Sequence, residues 1–448
     1  MIEVKKTINF AVFICALLVS PLSLSGESKF LPGATLDDFF NAAIDFSPEL
    51  QIASENLNIS SARKKAANGQ LLPQLSAGAN LSDNNLEQFN RNQDFTGERY
   101  FVSLSQTLFN WQQFAARKQA HLLEDQSEEE YYYQLSLLLT DVADRYFGVL
   151  QARDSLESIA SEIEALSNQL DQVQSLFDRQ LAQVTDLYQV QASLASVEAE
   201  ELRLEAELAL SRESLSAISG LEVGPLLQLR EEAEISPLEF NQAYYVEQAQ
   251  ERNNRVLAGE YAVKAANEGV SERRGAYLPQ VSFIAQRQDS NVGFENLLIN
   301  RTDNTFVGVN VVIPIYAGGR NKAGVSEAIS RKSIAEYELR ATQLRARELV
   351  RTAFLQVQAS DAQTDAALVL VESTALSSEA MQQGFNLGTV TSVDVLNALR
   401  DQYQAERELQ RIRYEHIRYL LLLKRETGTL TAEDMMEVSG WLEPQSSR

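Results

Sequence analysis

Apolar positions along this chain follow two rhythms that alternate in blocks. From Asp37 to Asn68, Leu36, Phe40, Ala43, Ile44, Leu50, Ile52 and Leu57 keep mostly helical spacing, and Leu72-Pro73-Gln74 breaks it. Two stretches of period two follow, at about 74–81 and 99–109. In the second, Tyr100, Val102, Leu104, Gln106 and Leu108 share one parity. Between them Ser82-Asp83-Asn84-Asn85 to Thr96-Gly97 is polar and reads as a loop. The same order returns later, with strands predicted at about 280–288 and 305–316 and a loop through Asn304.

Long helices come next in each half. Nine prolines fall at 21, 32, 48, 73, 225, 237, 279, 314 and 444, which leaves 74–224 and 315–443 without any. Such runs, rich in Ala, Leu, Gln, Glu and Arg, predict helices. Trp111 to Gln180 would measure about 105 Å and Asn321 to Leu387 about 100 Å at 1.5 Å per residue. Each is followed by a return helix. Leu187, Val190, Leu194, Val197, Leu204 and Leu208 form one seam, and Leu409, Ile412, His416 and Tyr419 continue the rhythm in the other. Threes and fours at this density predict coiled-coil packing.

The two halves are also alike residue by residue. Gly69-Gln70-Leu71-Leu72-Pro73-Gln74-Leu75-Ser76 returns as Gly275-Ala276-Tyr277-Leu278-Pro279-Gln280-Val281-Ser282, shifted by 206. Gln106-Thr107-Leu108-Phe109-Asn110 returns weakly as Ile313-Pro314-Ile315-Tyr316-Ala317, shifted by 207, and Phe177, Thr185, Asp186 and Leu187 match Phe385, Val393, Asp394 and Val395, shifted by 208. A shift that creeps upward without losing order is the trace of tandem duplication. The predicted organisation is a signal peptide over 1–25, a first repeat over 26–220, an equatorial linker over 221–250, a second repeat over 251–425 and a C-terminal equatorial segment over 426–448.

Charge and composition narrow the chemistry. With 62 acidic and 39 basic side chains the net charge is −23, which argues against nucleic acid as a partner. One cysteine, Cys15, and two histidines, His121 and His416, exclude a disulfide framework and leave no basis for a zinc site or a Cys/His catalytic pair. The chain is therefore read as no enzyme, with no cofactor and no resident metal. Asp125, Glu128 and Glu129 are a minor cation candidate, and both histidines read as packing or surface residues. Lys5 and Lys6 before the apolar run Ile8 to Val19, then Pro21 and small residues, read as an export signal cleaved after Ser25 or Gly26. Cys15 lies inside that run behind the bulky Ile14, so lipidation is not expected. No later stretch is apolar enough for a membrane helix, so any span would be made of strands.

Four strands cannot close a barrel, because about eight are the minimum and open edges in lipid leave backbone groups unpaired. Several chains would have to share one. Phe109, Trp111, Tyr277 and Tyr316 near the helix-side strand ends, and Tyr100, Phe101 and Phe306 near the loop ends, fit two aromatic girdles.

These residues carry a resemblance. The paired Leu-Pro-Gln motifs, Gln106-Thr107-Leu108-Phe109, Val312 to Arg320, Phe385 to Ala398 and Gly428-Thr429-Leu430 resemble the TolC family of outer-membrane channel-tunnels over nearly the whole mature length. The resemblance implies a mainly α fold with a small β part. It implies a homotrimer whose barrel of about twelve strands continues into a helical periplasmic tunnel. The implied function is an exit duct for efflux or type I secretion, docked to a periplasmic adaptor and an inner-membrane ABC or RND transporter. The alternative from another class is a non-pore trimeric coiled-coil stalk or adhesin.

The helix pairs reverse near 180–184 and 388–391. Gly388 suits a left-handed turn, whereas Gln180 in its place suggests a different turn in the first half. Asp186 and Asp394 lie just past these turns. They read either as first-turn carboxylates favoured by the helix dipole or, for Asp394, as an acidic ring at a constriction. The resemblance aligns Asp394 with a gate aspartate, Asn397 with a second one and Val390 with a gate-locking arginine. It matches Thr185 and Asp186 to that arginine's partners and Phe385 to a gate tyrosine. It further aligns Gln180, Leu181, Leu387, Gly388 and Thr389 with the adaptor-docking tip.

Overall fold

The computed structural model describes residues 29–30, 34–88, 91–230, 238–292 and 301–443. The predicted signal and its cleavage site lie outside them, as do parts of the linker and of the second loop. In chain order the elements are β1 (Lys29–Phe30), α1 (Leu36–Phe46), α2 (Pro48–Gly69), β2 (Gln74–Gln88), β3 (Arg91–Phe109), α3 (Trp111–Asp178), α4 (Val184–Ser219), β4 (Leu221–Glu222), β5 (Gln228–Leu229), α5 (Gln242–Arg252), α6 (Asn254–Gly275), β6 (Gln280–Ser290), β7 (Thr302–Val312), α7 (Arg320–Asn386), α8 (Ser392–Thr427), α9 (Ala432–Gly440) and β8 (Leu442–Glu443). The fold is mainly helical, and no described helix is long and apolar enough to cross a membrane.

The single helix expected over Asp37 to Asn68 is two. Ser47 is extended (φ −65°, ψ 118°), its hydroxyl accepts from the Leu50 N–H, and Pro48 takes the first helical position, where no donor is needed. The second half breaks in the same way. Asn253 (φ −64°, ψ 120°) accepts from the N–H groups of Arg255 and Val256 and donates to the Glu426 carbonyl at 2.8 Å. That bond joins the end of α8 to the start of α6. The junction is tight enough to require glycine: Gly428 has φ +72°, and a Cβ there would lie 2.1 Å from the Arg252 carbonyl oxygen.

Of the polar segment Ser82 to Gly97, expected to be a loop, the described residues 82–88 and 91–97 are instead ladder. β2 and β3 pair without interruption from Gln74↔Ser105 to Gln88↔Arg91. A ladder is made by backbone groups, and here polar side chains reinforce it: Thr96 donates to Asp83 at 3.3 Å, and Asn85 to Asp94 at 2.5 Å. At the other edge the expected strand overran. β7 stops at Val312, because Pro314 has no N–H to offer, and Tyr316 lies outside the sheet and exposed.

The sheet is antiparallel in the order β2-β3-β6-β7. Its register gathers Leu75, Ala77 and Ala79 with Leu104, Val102 and Tyr100, then Val281, Phe283 and Ala285, then Val311, Val309 and Val307, on one face. The opposite face carries Ser76, Asn80, Ser103, Ser105, Ser282, Gln286 and Asn310, interrupted by Phe101, Ile284 and Phe306. Toward the β6–β7 hairpin end the apolar face gives way to the ion pairs Arg287–Asp303 and Arg301–Asp289, both at 2.8 Å. Among the described residues both outer strands, β2 and β7, have one neighbour and one open edge.

Helix α3, about 100 Å long, is the spine. It packs on α2 and α6 toward the sheet and on α4 and α8 beyond. Midway, β1 pairs with β4 and β5 with β8, and these ribbons with α1 and α9 bury Phe39, Leu221, Met435, Val438 and Leu442 against Tyr146, Phe147 and Leu150 of α3. Segments from the start, middle and end of the chain thus form one belt around the helices.

Candidate functional site: the helix tips and the seam behind them

Both long helices end in the same turn. After α3, Gln180 adopts φ +61°; its N–H donates to Phe177 O, and the Leu181 N–H to Leu176 O, both at 2.8 Å. After α7, Gly388 adopts φ +72°; its N–H donates to Phe385 O at 3.0 Å, and the Thr389 N–H to Gly384 O at 2.9 Å. Every atom pair corresponds at a shift of 208. The different turn expected in the first half is therefore absent. The paired bonds satisfy carbonyls that a helix end leaves open, and this outweighs the roughly 1 kcal/mol that a side chain costs in the left-handed region.

The return helices start alike as well. The Asp394 carboxylate accepts from the Thr391 hydroxyl at 2.6 Å and from the Thr391 N–H at 2.9 Å. Those two donors hold its carboxyl below the usual aspartate range, so it stays ionised although fully exposed. Asp186, its counterpart, accepts more loosely from the Gln183 N–H at 3.4 Å, while the Thr185 hydroxyl turns to the Gln183 side chain. Each aspartate caps its own helix, and within one chain neither bonds the other. Asp394 and Asn397 are exposed on the same side of α8, opposite its buried Val395 and Leu396. Val390 lies beside Gly384, within the turn itself.

Behind the tips an apolar cluster joins three helices. Leu166 and Val173 of α3, Leu187 and Val190 of α4 and Leu396 of α8 are buried together, with Phe177 and Phe385 packed against them. Leu181 and Leu387, by contrast, are 72% and 80% exposed.

Further up, α3 and α8 are joined by polar contacts that the sequence did not single out. Arg418 pairs with Asp144 at 3.0 Å, the Tyr414 hydroxyl donates to Asp154, and Arg407 pairs with Glu162 at 2.8 Å. Glu162 is only 3% exposed. Burial and the neighbouring Asp154 push the Tyr414 hydroxyl far above the usual tyrosine range. Three acids spaced along a packed helix were the available signal, but their partners lie 245 to 274 residues away. His416 is likewise buried, between α8 and α7, with Nδ1 2.8 Å from Ser360 Oγ. That hydroxyl also lies 3.0 Å from Val357 O, an acceptor for its proton. Burial lowers the His416 pKa, and Asp361 opposes the shift in part.

The acidic run offers no cation cage. Glu129 accepts from Asn254 at 2.8 Å, and among the described residues no cluster of His, Cys, Asp or Glu is placed to hold a metal.

Known proteins resemble this chain along most of its length. The sequence profile described as outer membrane efflux protein matches residues 40–221 and 245–429. Outer membrane protein TolC of Vibrio cholerae serotype O1 is 28% identical over 412 residues, 91% of this chain and 93% of its own. The alkaline protease secretion protein AprF of Pseudomonas aeruginosa is 25% identical over 427 residues, 92% of this chain and 88% of its own. The solved structure of VceC, an outer membrane protein of Vibrio cholerae, shares the fold with a TM-score of 0.75 at 19% identity, over 88% of this chain and 96% of that one.

Proposed function

The chain belongs to the outer membrane efflux protein family and resides in the outer membrane, and from that premise we propose that it is the exit duct of a tripartite efflux pump or type I secretion system. Three copies share one barrel, and their helices continue as a tunnel into the periplasm. A periplasmic adaptor grips the tips and links them to an inner-membrane ABC or RND transporter. The observation that carries this reading is the sheet: one apolar face, one mainly polar face and two open edges. In lipid such a sheet is stable only when further strands close it, and the apolar face then turns outward. A stalk without a pore would leave both the face and the edges unaccounted for. The name of AprF, a protease secretion protein, favours the secretion arm and the family description the efflux arm. The two halves, 26–220 and 251–425, are read as products of one duplication.

The gate is assigned to the tip. Asp394 is exposed and ionised, and with threefold symmetry three such carboxylates would ring the narrow end and favour cations. With valine at 390 and asparagine at 397, closure relies on the apolar cluster around Phe385 more than on charge pairing. Purified protein should run as a heat-resistant trimer and form channels in planar bilayers. Asp394→Ala should lower cation selectivity and block by multivalent cations, Asp186→Ala should raise resting conductance, and Asp83→Ala should do neither. A monodisperse monomer without conductance would end the duct reading. Unaltered selectivity and block in Asp394→Ala would leave Asp394 as a helix cap alone.

A further inference from the structure

Where α4 gives way to α2 along the flank of α3, the helices leave a gap. Helix α4 ends at Ser219 and α2 begins at Pro48, and both pack on α3. The gap is a cavity of about 960 Å³, walled on its other side by α8. Leu137 and Asp141 of α3 line it, whereas Tyr146 and Leu150 of the same helix are buried in the core under the belt. Leu137 to Tyr146 and Asp141 to Leu150 are each nine residues, about two and a half turns. The cavity therefore opens on the side of α3 away from the belt. Its apolar lining comes from Phe46, Leu137, Ile218, Tyr419 and Leu422. Phe46, 53% exposed, is seated at the rim on Gly220 (φ +68°), where a Cβ would come within 2.7 Å of the ring.

The charges around the cavity are matched in pairs, with one left over. Arg145 pairs with Asp141 at 3.1 Å, Arg418 with Asp144 at 3.0 Å, Arg425 with Glu426 at 2.8 Å, and Glu415 with Arg411. Glu49 remains. Its carboxylate accepts from the Ser47 hydroxyl at 3.1 Å and has no basic partner among the described residues. An unmatched carboxylate beside two aromatic rings, in an apolar cavity of this size, suits one ligand chemistry. Resting on the duct reading above, in which the side away from the belt faces the lumen, we propose that this cavity binds an amphipathic organic cation of drug size on its way through the duct. Phe46, Tyr419 and Leu422 take the apolar part, and Glu49 takes the charge. The rival occupant is a second copy of this chain. The exposed apolar side chains that a second copy would cover lie on the outer helices, Tyr188, Leu202 and Leu210 on α4 and Tyr337, Leu344 and Leu355 on α7. The cavity lies between them, walled by α2, α4 and α8 of its own chain.

The probe is ethidium, an aromatic cation, titrated against the wild-type protein in lipid nanodiscs, and the readout is fluorescence anisotropy. Binding should saturate, and fluorescein, an aromatic anion, should not compete for it. Glu49→Gln should weaken binding at least fivefold. Ala217→Trp, which sets an indole on the cavity wall, should abolish it. Both variants should keep the heat-resistant trimer, and Asp83→Ala should bind as wild type does. Binding within twofold of wild type in Glu49→Gln, binding retained in Ala217→Trp, or displacement of ethidium by equimolar fluorescein would overturn the proposal. Loss of the trimer in Ala217→Trp would give the cavity to a second copy and overturn it too. Channels are measured separately in planar bilayers: their absence would remove the duct reading, while the ethidium titration still decides the site.

Discussion

The seam between α3 and α8 changes character along its length. Near the belt it is held by Arg418–Asp144, Tyr414–Asp154 and Arg407–Glu162. Below Glu162 it becomes the apolar cluster of Leu166, Val173, Leu187, Val190 and Leu396. The Arg407–Glu162 rung in particular accepts one register, since a shifted partner leaves the buried Glu162 alone, while apolar packing is non-directional and tolerates repacking. The upper seam is thus expected to hold the helix pairs in place, and the lower seam to allow the tips to move apart.

The largest effect should come from breaking the lowest polar rung. Arg407→Ala leaves Glu162 buried without its partner and should destabilise the helical part by about 3–5 kcal/mol, read from urea unfolding followed by circular dichroism. Replacing both residues with apolar ones, Arg407→Met with Glu162→Leu, should restore most of that loss. If Arg407→Ala alone costs under about 1 kcal/mol, the rung is not structural and the contrast fails.

A smaller, local effect is expected at the tip. Leu187→Ala removes a buried side chain from the apolar cluster, worth about 2–3 kcal/mol. Because the polar seam lies above it, amide exchange should quicken around 166–190 and 385–396 and stay unchanged around 144–162. Equal acceleration in both regions would show that the seam opens as one unit.

The smallest effect concerns a third seam, α7 against α8. Burial lowers the His416 pKa below its unfolded value of about 6.5. As pH falls below that value the unfolded chain takes up a proton that the folded chain refuses, so the stability present at neutral pH declines until the folded pKa is reached. His416→Asn should flatten thermal stability between pH 7.5 and 5.5 relative to wild type. An identical slope in the variant would shift the pH response to other groups.

Parity and proline spacing made much of the fold legible. The alternation of Tyr100, Val102 and Leu104 located β3, and the proline-free runs located α3 and α7 to within two residues at each end. What escaped shares a physical cause: backbone hydrogen bonds overrode side-chain preference. The ladder of 82–88 with 91–97 formed from mostly polar residues because its donors and acceptors were in register. The α3–α4 turn formed with glutamine because two carbonyls needed donors. The breaks at Ser47 and Asn253 rest on single capping side chains, too local a signal to stand out in a helical pattern. At the tip, sequence spacing located both turns and both capping aspartates. It missed the rungs of the upper seam, since Asp144, Asp154 and Glu162 look like a solvated face until α8 is laid beside them.

The open edges of β2 and β7 bear on how the protein reaches its membrane. A chain that closed its own barrel could insert as a first-order event, at a rate indifferent to how many neighbours were present. In the shared barrel proposed above, every strand edge left in lipid is met by another chain, so insertion and association would be one step whose rate rises steeply with local concentration. Dilution during refolding into detergent should therefore slow the appearance of protected strands far more than that of the helices, whose hydrogen bonds close within each chain.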